Sequence, residues 1–316
     1  MQKVIYVNKH LTSAGYYKTL LPEVQTALKY YDKLDDVVFD LSGTQSIEPN
    51  VIPNLLCLGN MVFALTGKKI VLRIPETYDG GKLKNYLNSI GFLKLAKSGF
   101  YFESDPFTGF EGSMIDPLCG TVFFEKNIQE DEIGRTFDLL VGPFAEKYLK
   151  NYSKISLKSG QRENDIINLL KELAANASEH SGSYSYVTVH AKYSERKIYI
   201  AISDGGRGFL HSCQVKHAEE LAKENKVLYN EIEAIDYCVY RHEESKKFGL
   251  YALIKDVITA DGKVRIHSND SQIIYTRTRI SDFYNKTTLK NNEFWKYNIN
   301  RDWIFGGAHL EIEIPF

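Results

Sequence analysis

Glu172 and Asn176 stand four residues apart in RENDIINLLKELAANASEH, the segment from Arg162 to His180. Wound as a helix at about 100° per residue, this segment gathers Ile166, Leu170, Leu173, Ala174 and Ala177 on one arc. Asp165, Asn168, Glu172, Asn176 and Glu179 fall on the opposite arc. Side chains at i and i+4 meet on a helix surface. A carboxylate beside a neutral amide oxygen can hold a hard cation such as Mg²⁺ and take a proton from a nearby hydroxyl. An ordinary amphipathic helix with a solvated polar face has the same periodicity. A second chemical stretch is ISDGGRGF, Ile202–Phe209, where a strand runs directly into Asp204 and then three glycines in four residues. Glycine lets backbone approach a ligand closely, and a carboxylate at the end of a buried strand can accept a hydrogen bond from an amino group. A plain turn after a strand would also read this way. The third stretch is KKFGLYALI, Lys246–Ile254, where Gly249 opens an apolar helix. Helix N-termini attract anions through their free N–H groups, and Lys246 and Lys247 add charge there, unless they are simply solvated.

Other familiar sites are missing. The chain has neither G-x-x-x-x-G-K-[ST] nor G-x-G-x-x-G, which removes the P-loop and the dinucleotide-binding fingerprint. His211, Cys213, His217, Cys238 and His242 are soft-metal donors in one polar stretch, and Cys238 and His242 share an i, i+4 spacing. No tight C-x₂-C knuckle accompanies them, so scattered polar residues are the simpler account.

The elements that must position these residues can be read from periodicity. In the first hundred residues strands are expected at Lys3–Val7, Asp36–Leu41 and Lys69–Ile74, the last stopped by Pro75. Helices are expected at Leu20–Tyr31, Val51–Leu65 and Lys82–Ile90, the last closed by Gly91. This alternation implies a largely parallel sheet covered by helices. Ser104–Gly120, with Pro106, Gly109, Gly112, Pro117 and Gly120, has no period and reads as a connecting segment. Beyond it come helices at Glu130–Asn151 and Arg162–His180, then strands at Tyr184–His190 and Lys197–Ser203 joined by a turn at Tyr193–Arg196. A polar stretch of about 40 residues after Gly208 is longer than an ordinary connection and suggests a functional lid. A helix restarts near Gly249, and strands are expected at Lys263–His267, Gln272–Ile280 and His309–Ile314.

Composition bounds the possibilities. The 316 residues suggest about two domains at roughly 150 residues each. Lys plus Arg number 39 and Asp plus Glu 40, so no whole-chain basic footprint points to nucleic acid, and none is expected as a partner. The most apolar stretch, Asn50–Leu65, is broken by Pro53, Asn54, Gly59 and Asn60, and no membrane span is expected. The N-terminus lacks a signal-peptide pattern, and Cys57, Cys119, Cys213 and Cys238 are scattered without a C-x-x-C pair. Both features suggest reduced thiols in a cytoplasmic protein.

In order along the chain, ELAANASEH (172–180), DGGRGF (204–209) and KFGLYALIK (247–255) resemble the ATP-binding domain shared by gyrase, the heat-shock chaperone, histidine kinases and MutL, the GHKL or Bergerat fold. The terminal GGAHLEIEIP resembles that family's last glycine turn and strand. The resemblance covers roughly residues 125–316 and implies an α/β sandwich with helices on a mixed sheet. It implies Glu172 as general base, Asn176 as the Mg²⁺ ligand, and Asp204 as the acceptor for the adenine amino group. Gly206 and Gly208 would shape the base pocket, and Gly249 would lie under the phosphates with Lys246 and Lys247 beside it. Lys247 stands where the family has the first glycine of Gly-x-Gly-Leu, and Ala308 where it often has Thr. His180 lies inside the nucleotide motif, where a structural role is expected.

Residues 1–103, through VVFDLSGTQSIEPNVIPNLL and KKIVLRIPE, are similar to a STAS domain, the fold of bacterial anti-anti-sigma factors. That family carries its phosphorylated serine in a D-S-[ST]-G turn after this strand. Here the matching positions are Glu48, Pro49, Asn50 and Val51, with no hydroxyl, so a phospho-switched copy is not expected. Ser42, Thr44 and Ser46 nearby are expected to serve the turn.

The expected organisation is therefore an α/β protein with a STAS-like βα domain at 1–103, a linker at 104–124 and a GHKL α/β domain at 125–316. The expected function is that of a Mg-ATP-binding regulatory protein of the anti-sigma or histidine-kinase-like type, passing phosphate to water or to a protein hydroxyl. The alternative is a catalytically inactive nucleotide sensor or scaffold. Its expected partners are ATP, a second protein and a second copy of the chain.

Overall fold

A computed structural model of the chain describes residues 2–30, 36–74, 78–107, 119–126, 128, 130–144, 171–178, 183–241, 249–288, 295–296 and 306–315. It is a mixed α/β protein with one parallel and one antiparallel main sheet, each carrying helices.

The first sheet is formed by β1 (Lys3–Tyr6), β3 (Val37–Asp40), β5 (Ile70–Arg73) and β6 (Phe100–Phe102), parallel and in that spatial order. A small parallel pair, β2 (His10–Leu11) with β4 (Ser46–Ile47), lies apart from it. All four residues of β3 are buried, as a central parallel strand covered on both faces requires. The covering helices are α1 (Ser13–Gly15), α2 (Leu21–Leu28), α3 (Val51–Thr66), α4 (Tyr78–Ser89) and α5 (Phe92–Leu95). The first helical run starts at Ser13, ahead of the expected Leu20. The Thr12 hydroxyl caps it by accepting the Gly15 N–H, and a π-helical turn, Tyr16–Leu20, joins α1 to α2. α3 is apolar on nearly every side and is accordingly buried from Val51 through Gly59.

The second sheet has seven strands in the order β12-β11-β10-β13-β9-β8-β7, every neighbouring pair antiparallel. They are β7 (Cys119–Phe124), β8 (Ser185–Lys192), β9 (Lys197–Asp204), β10 (Lys263–Ser268), β11 (Ser271–Thr276), β12 (Trp295–Lys296) and β13 (Ala308–Pro315). Cys119–Phe124, read from sequence as part of the linker, is thus an edge strand of this sheet. Strand alternation gives the sheet one apolar and one polar face. Ile198, Ile200, Ile202, Leu310, Ile312, Val264 and Ile266 share one core with Ile235, Ile254 and Ile258 of the helices. Those helices are α6 (Glu130–Phe144), α7 (171–178), α8 (Gly208–Lys216), α9 (Ala218–Lys223), α10 (Glu231–Tyr240), α11 (Gly249–Thr259) and α12 (Ile280–Tyr284).

Two expectations need correction. The polar stretch after Gly208 is built as three helices, α8 to α10, because Leu221, Ile232, Ile235 and Val239 turn inward on them. The strand expected over Gln272–Ile280 ends at Thr276, and a 3₁₀ turn, Arg277–Arg279, leads into α12. Of the helices expected at Glu130–Asn151 and Arg162–His180, residues 145–151, 162–170 and 179–180 lie outside the described residues.

The polar face of the second sheet is covered by α3 and the π-turn of the first unit. Asn54 of α3 donates to Glu311 Oε1 at 3.3 Å and to the Tyr17 hydroxyl at 2.9 Å, and accepts from the Ser203 hydroxyl. Glu311 also accepts from the Tyr17 hydroxyl at 3.3 Å and pairs with Arg265. The Tyr17 ring stacks on His267 with centroids 4.2 Å apart, and Asn60 donates to the Tyr186 hydroxyl at 2.6 Å. Asn54, Ser203, Arg265 and Glu311 are all buried, so these bonds supply pairing that buried polar groups require. Among the described residues no helix is long and apolar enough to cross a membrane.

Candidate functional site

A cavity of about 290 Å³ opens between the apolar face of the second sheet and the helices above it. Its floor includes Ile202, Asp204, Ile266 and Leu310, and α7 contributes Glu172, Leu173, Asn176 and Ala177. α7 is seated by Ala174, which is fully buried, and by the Ser178 hydroxyl, which donates to the Glu125 carbonyl at 2.8 Å. Lys171 on the same helix pairs with Asp138 of α6 at 2.7 Å. With its apolar arc pinned to the core, α7 turns the i, i+4 pair Glu172 and Asn176 toward the cavity.

Asp204 ends β9 at the cavity floor and is 4% exposed. Its Oδ1 accepts the Gly206 N–H at 2.8 Å and the Ala308 N–H at 3.3 Å. Burial pushes its carboxyl up to about 7, and the two backbone donors only partly offset that effect. Two glycines make this geometry possible. Gly307 has φ +124°, and a Cβ there would sit 2.1 Å from the Asp204 carbonyl oxygen. Gly208 has φ +81°, and a Cβ there would meet the Asn269 amide at 2.3 Å. Both positions combine a left-handed backbone with a gap that no side chain fits.

Asn269 ties the two glycine turns together. Its Nδ2 donates to the Arg207 carbonyl at 3.2 Å and to Glu231, and its Oδ1 accepts the Gly307 N–H at 3.1 Å. Glu231, at the start of α10, accepts from the Ser268 hydroxyl at 2.6 Å and from the Leu210 N–H at 3.0 Å. Sequence reasoning passed over Asn269, Ser268 and Glu231. Their signal was Asn269-Asp270 between two strands, a hairpin turn in which Asn takes φ 46°.

The cavity is also lined by Ser212, Cys213, Lys216 and His217 of the α8 region and by Cys238 and Arg241 at the end of α10. Arg241 donates to the His217 ring and pairs with Glu220 at 3.0 Å. Lys216 and Arg241 thus bring cationic side chains to the same cavity as Glu172 and Asn176, and neither was singled out from sequence as a cation for the site.

Of the residues expected in the site, Glu172, Asn176, Asp204, Gly208 and Gly249 all line this one cavity, together with Ala308. Gly206 is not among the lining residues and acts through its N–H on Asp204. Lys246, Lys247, His180 and His242 lie outside the described residues. Among the described residues no group of three or more His, Cys, Asp or Glu side chains could hold a metal ion, so the soft donors after Gly208 form no such cluster there. A Mg²⁺ site needs fewer protein ligands, because that ion keeps several waters and takes phosphate oxygens from its substrate. Asn176 and Glu172 meet that requirement. Comparison with known proteins adds no assignment: no family model matches the chain, and no curated protein is significantly similar to it.

Proposed function

We propose that the cavity binds ATP with Mg²⁺, and that the protein is a nucleotide-dependent regulator of the GHKL type with a STAS-like first unit. The observation that carries this reading is the convergence of Glu172, Asn176 and Asp204, from two separate segments, on one cavity bounded by glycine turns. Its volume of about 290 Å³ lies just below the roughly 300–1,000 Å³ usual for small-molecule sites. Asp204 would accept the adenine amino group, since its Oδ1 is already committed to two backbone donors and its Oδ2 makes no hydrogen bond among the described residues. The apolar floor of Ile202, Ile266 and Leu310 would take the base. Asn176 would hold Mg²⁺, which when bound neutralises charge on the phosphate oxygens. Glu172 would take the proton from the attacking hydroxyl. Lys216 and Arg241, which line the same cavity, would balance the phosphate charge.

One observation argues against phosphate transfer to the STAS-like turn of the first unit. The first unit packs on the polar face of the second sheet, whereas every residue lining the cavity falls at 172 or beyond. Its Pro49 and Asn50, which match the two hydroxyl positions of the STAS turn, are both buried. In the enzymatic reading the acceptor would be water or a hydroxyl on a separate protein, and in either reading a cytoplasmic partner or a second copy would read the nucleotide state. Incubation with Mg-ATP tests whether turnover occurs. The enzymatic reading predicts slow ADP formation that drops by about 10²-fold or more in Glu172→Ala. Equal rates in parent and variant contradict Glu172 as the base, and binding without turnover in the parent supports the scaffold.

A further inference from the structure

The cavity wall holds a pair of thiols that nucleotide binding does not use. Cys213 on α8 and Cys238 on α10 lie 25 residues apart in sequence, and their Sγ atoms are 2.8 Å apart. That is longer than a covalent S–S bond of about 2.05 Å but closer than two sulfurs normally rest. Both side chains line the cavity, so a small solute inside it reaches them, although Cys213 is only 1% exposed. α8 and α10 are held in this relation by Glu231, which ties the start of α10 to the Leu210 N–H of α8. The two thiols share their protons unevenly. The hydrogen bond from Cys238, helped by the Arg241 guanidinium and opposed by burial, holds the Cys213 thiol below its ordinary value. The same hydrogen bond, and then burial, holds Cys238 well above its own. Of the two, Cys213 is therefore the readier to lose its proton. The remaining cysteines, Cys57 on α3 and Cys119 on β7, are buried in one core cluster.

We propose that Cys213 and Cys238 are a peroxide-oxidisable dithiol whose disulfide staples α8 to α10 along the cavity wall. The Cys213 thiolate attacks one oxygen of a hydroperoxide, the O–O bond breaks, and Cys213 becomes a sulfenic acid as hydroxide or alkoxide leaves. The Cys238 sulfur then attacks the Cys213 sulfur, the S–O bond breaks, and the departing hydroxide takes the Cys238 proton. In sum two thiols and one peroxide give one disulfide, one water and one water or alcohol. A dithiol reductant reverses the change. The inference does not depend on which ligand fills the cavity. Because the staple fixes the helices that carry Lys216 and Arg241, it makes that wall redox-sensitive.

The test is a hydrogen peroxide titration of the full chain, followed by alkylation and peptide mapping without reductant. The expected result is a linked Cys213–Cys238 peptide lighter by two hydrogens, a fall in alkylation of both thiols of about tenfold or more, and full reversal by dithiothreitol. Cys238→Ser should stop at a sulfenic acid on Cys213 that dimedone traps, and Cys213→Ser should leave Cys238 alkylated at its starting rate. The proposal is overturned if both thiols stay fully alkylated at peroxide levels that oxidise a free dithiol in the same tube. A preferred link to Cys57 or Cys119 would overturn it equally.

Discussion

Asp204 is held as a buried carboxylate with two backbone donors on one oxygen, and its titration near neutrality has a direct consequence for stability. Its folded-state value, about 7, lies above the ordinary 3.8 of an unfolded aspartate because burial disfavours the charge. An acid raised on folding binds its proton more tightly in the native state, so the native state loses stability as pH rises between those two values. Below about 4 both states are protonated and no penalty remains; above about 7 the penalty is complete. Asp204→Asn keeps an oxygen for the Gly206 and Ala308 N–H groups and removes the charge. Without ligand, that variant should match the parent near pH 4 and exceed it at pH 8 by on the order of 4 kcal/mol in urea denaturation. A difference between the two proteins that does not change with pH would show that Asp204 is not buried as a charge.

At the scale of elements, the legible parts were those in which one period or one turn residue decides the outcome. VVFD could only be a buried strand, Gly91 closes its helix at φ +83°, and the alternating Ile198, Ile200 and Ile202 gave β9 its inward face. Glu172, Asn176, Asp204, Gly208 and Gly249, picked out by local i, i+4 and strand-to-glycine patterns and by the three motifs in order, all line the one cavity. The helices after Gly208 were hidden by their many charges, although their signals were present. Asn230 accepts the Glu233 N–H while the Glu233 carboxylate takes the Tyr229 N–H, an Asn-x-x-Glu start followed by Ile232, Ile235 and Val239 at helical spacing. β7 was missed because Cys119–Phe124 follows a glycine- and proline-rich stretch, and its place comes from pairing with β8 more than 60 residues later. The clasp at Asn269 was beyond sequence because its partners, Arg207, Glu231 and Gly307, come from three distant turns.

At the scale of the whole molecule, the two units are joined through a polar surface that sequence alone reads as wet. Ser203, Arg265 and Glu311 occupy the alternate positions of an antiparallel sheet, the ones that ordinarily face solvent. α3 covers them, and Asn54, Tyr17 and Arg265 converge on Glu311, which is 3% exposed. Removing one partner of such a pair strands the other charge. Arg265→Met should therefore destabilise the protein by about 3–5 kcal/mol, and adding Glu311→Leu should restore much of the loss, both read by thermal or urea unfolding. An Arg265→Met protein as stable as the parent would mean that the units do not share this buried face. With that face occupied, the nucleotide proposal rests on the cavity of the opposite face and on Asp204 within it. The most direct measurement is calorimetric titration of Mg-ATP into the parent and into Asp204→Ala at pH 8, where the carboxylate is ionised. Saturable binding at one site per chain is predicted, weakened at least about tenfold in the variant, the scale of one lost hydrogen bond to a charged group. No binding heat in the parent, or equal affinity in the two proteins, would contradict ATP as the ligand of this cavity.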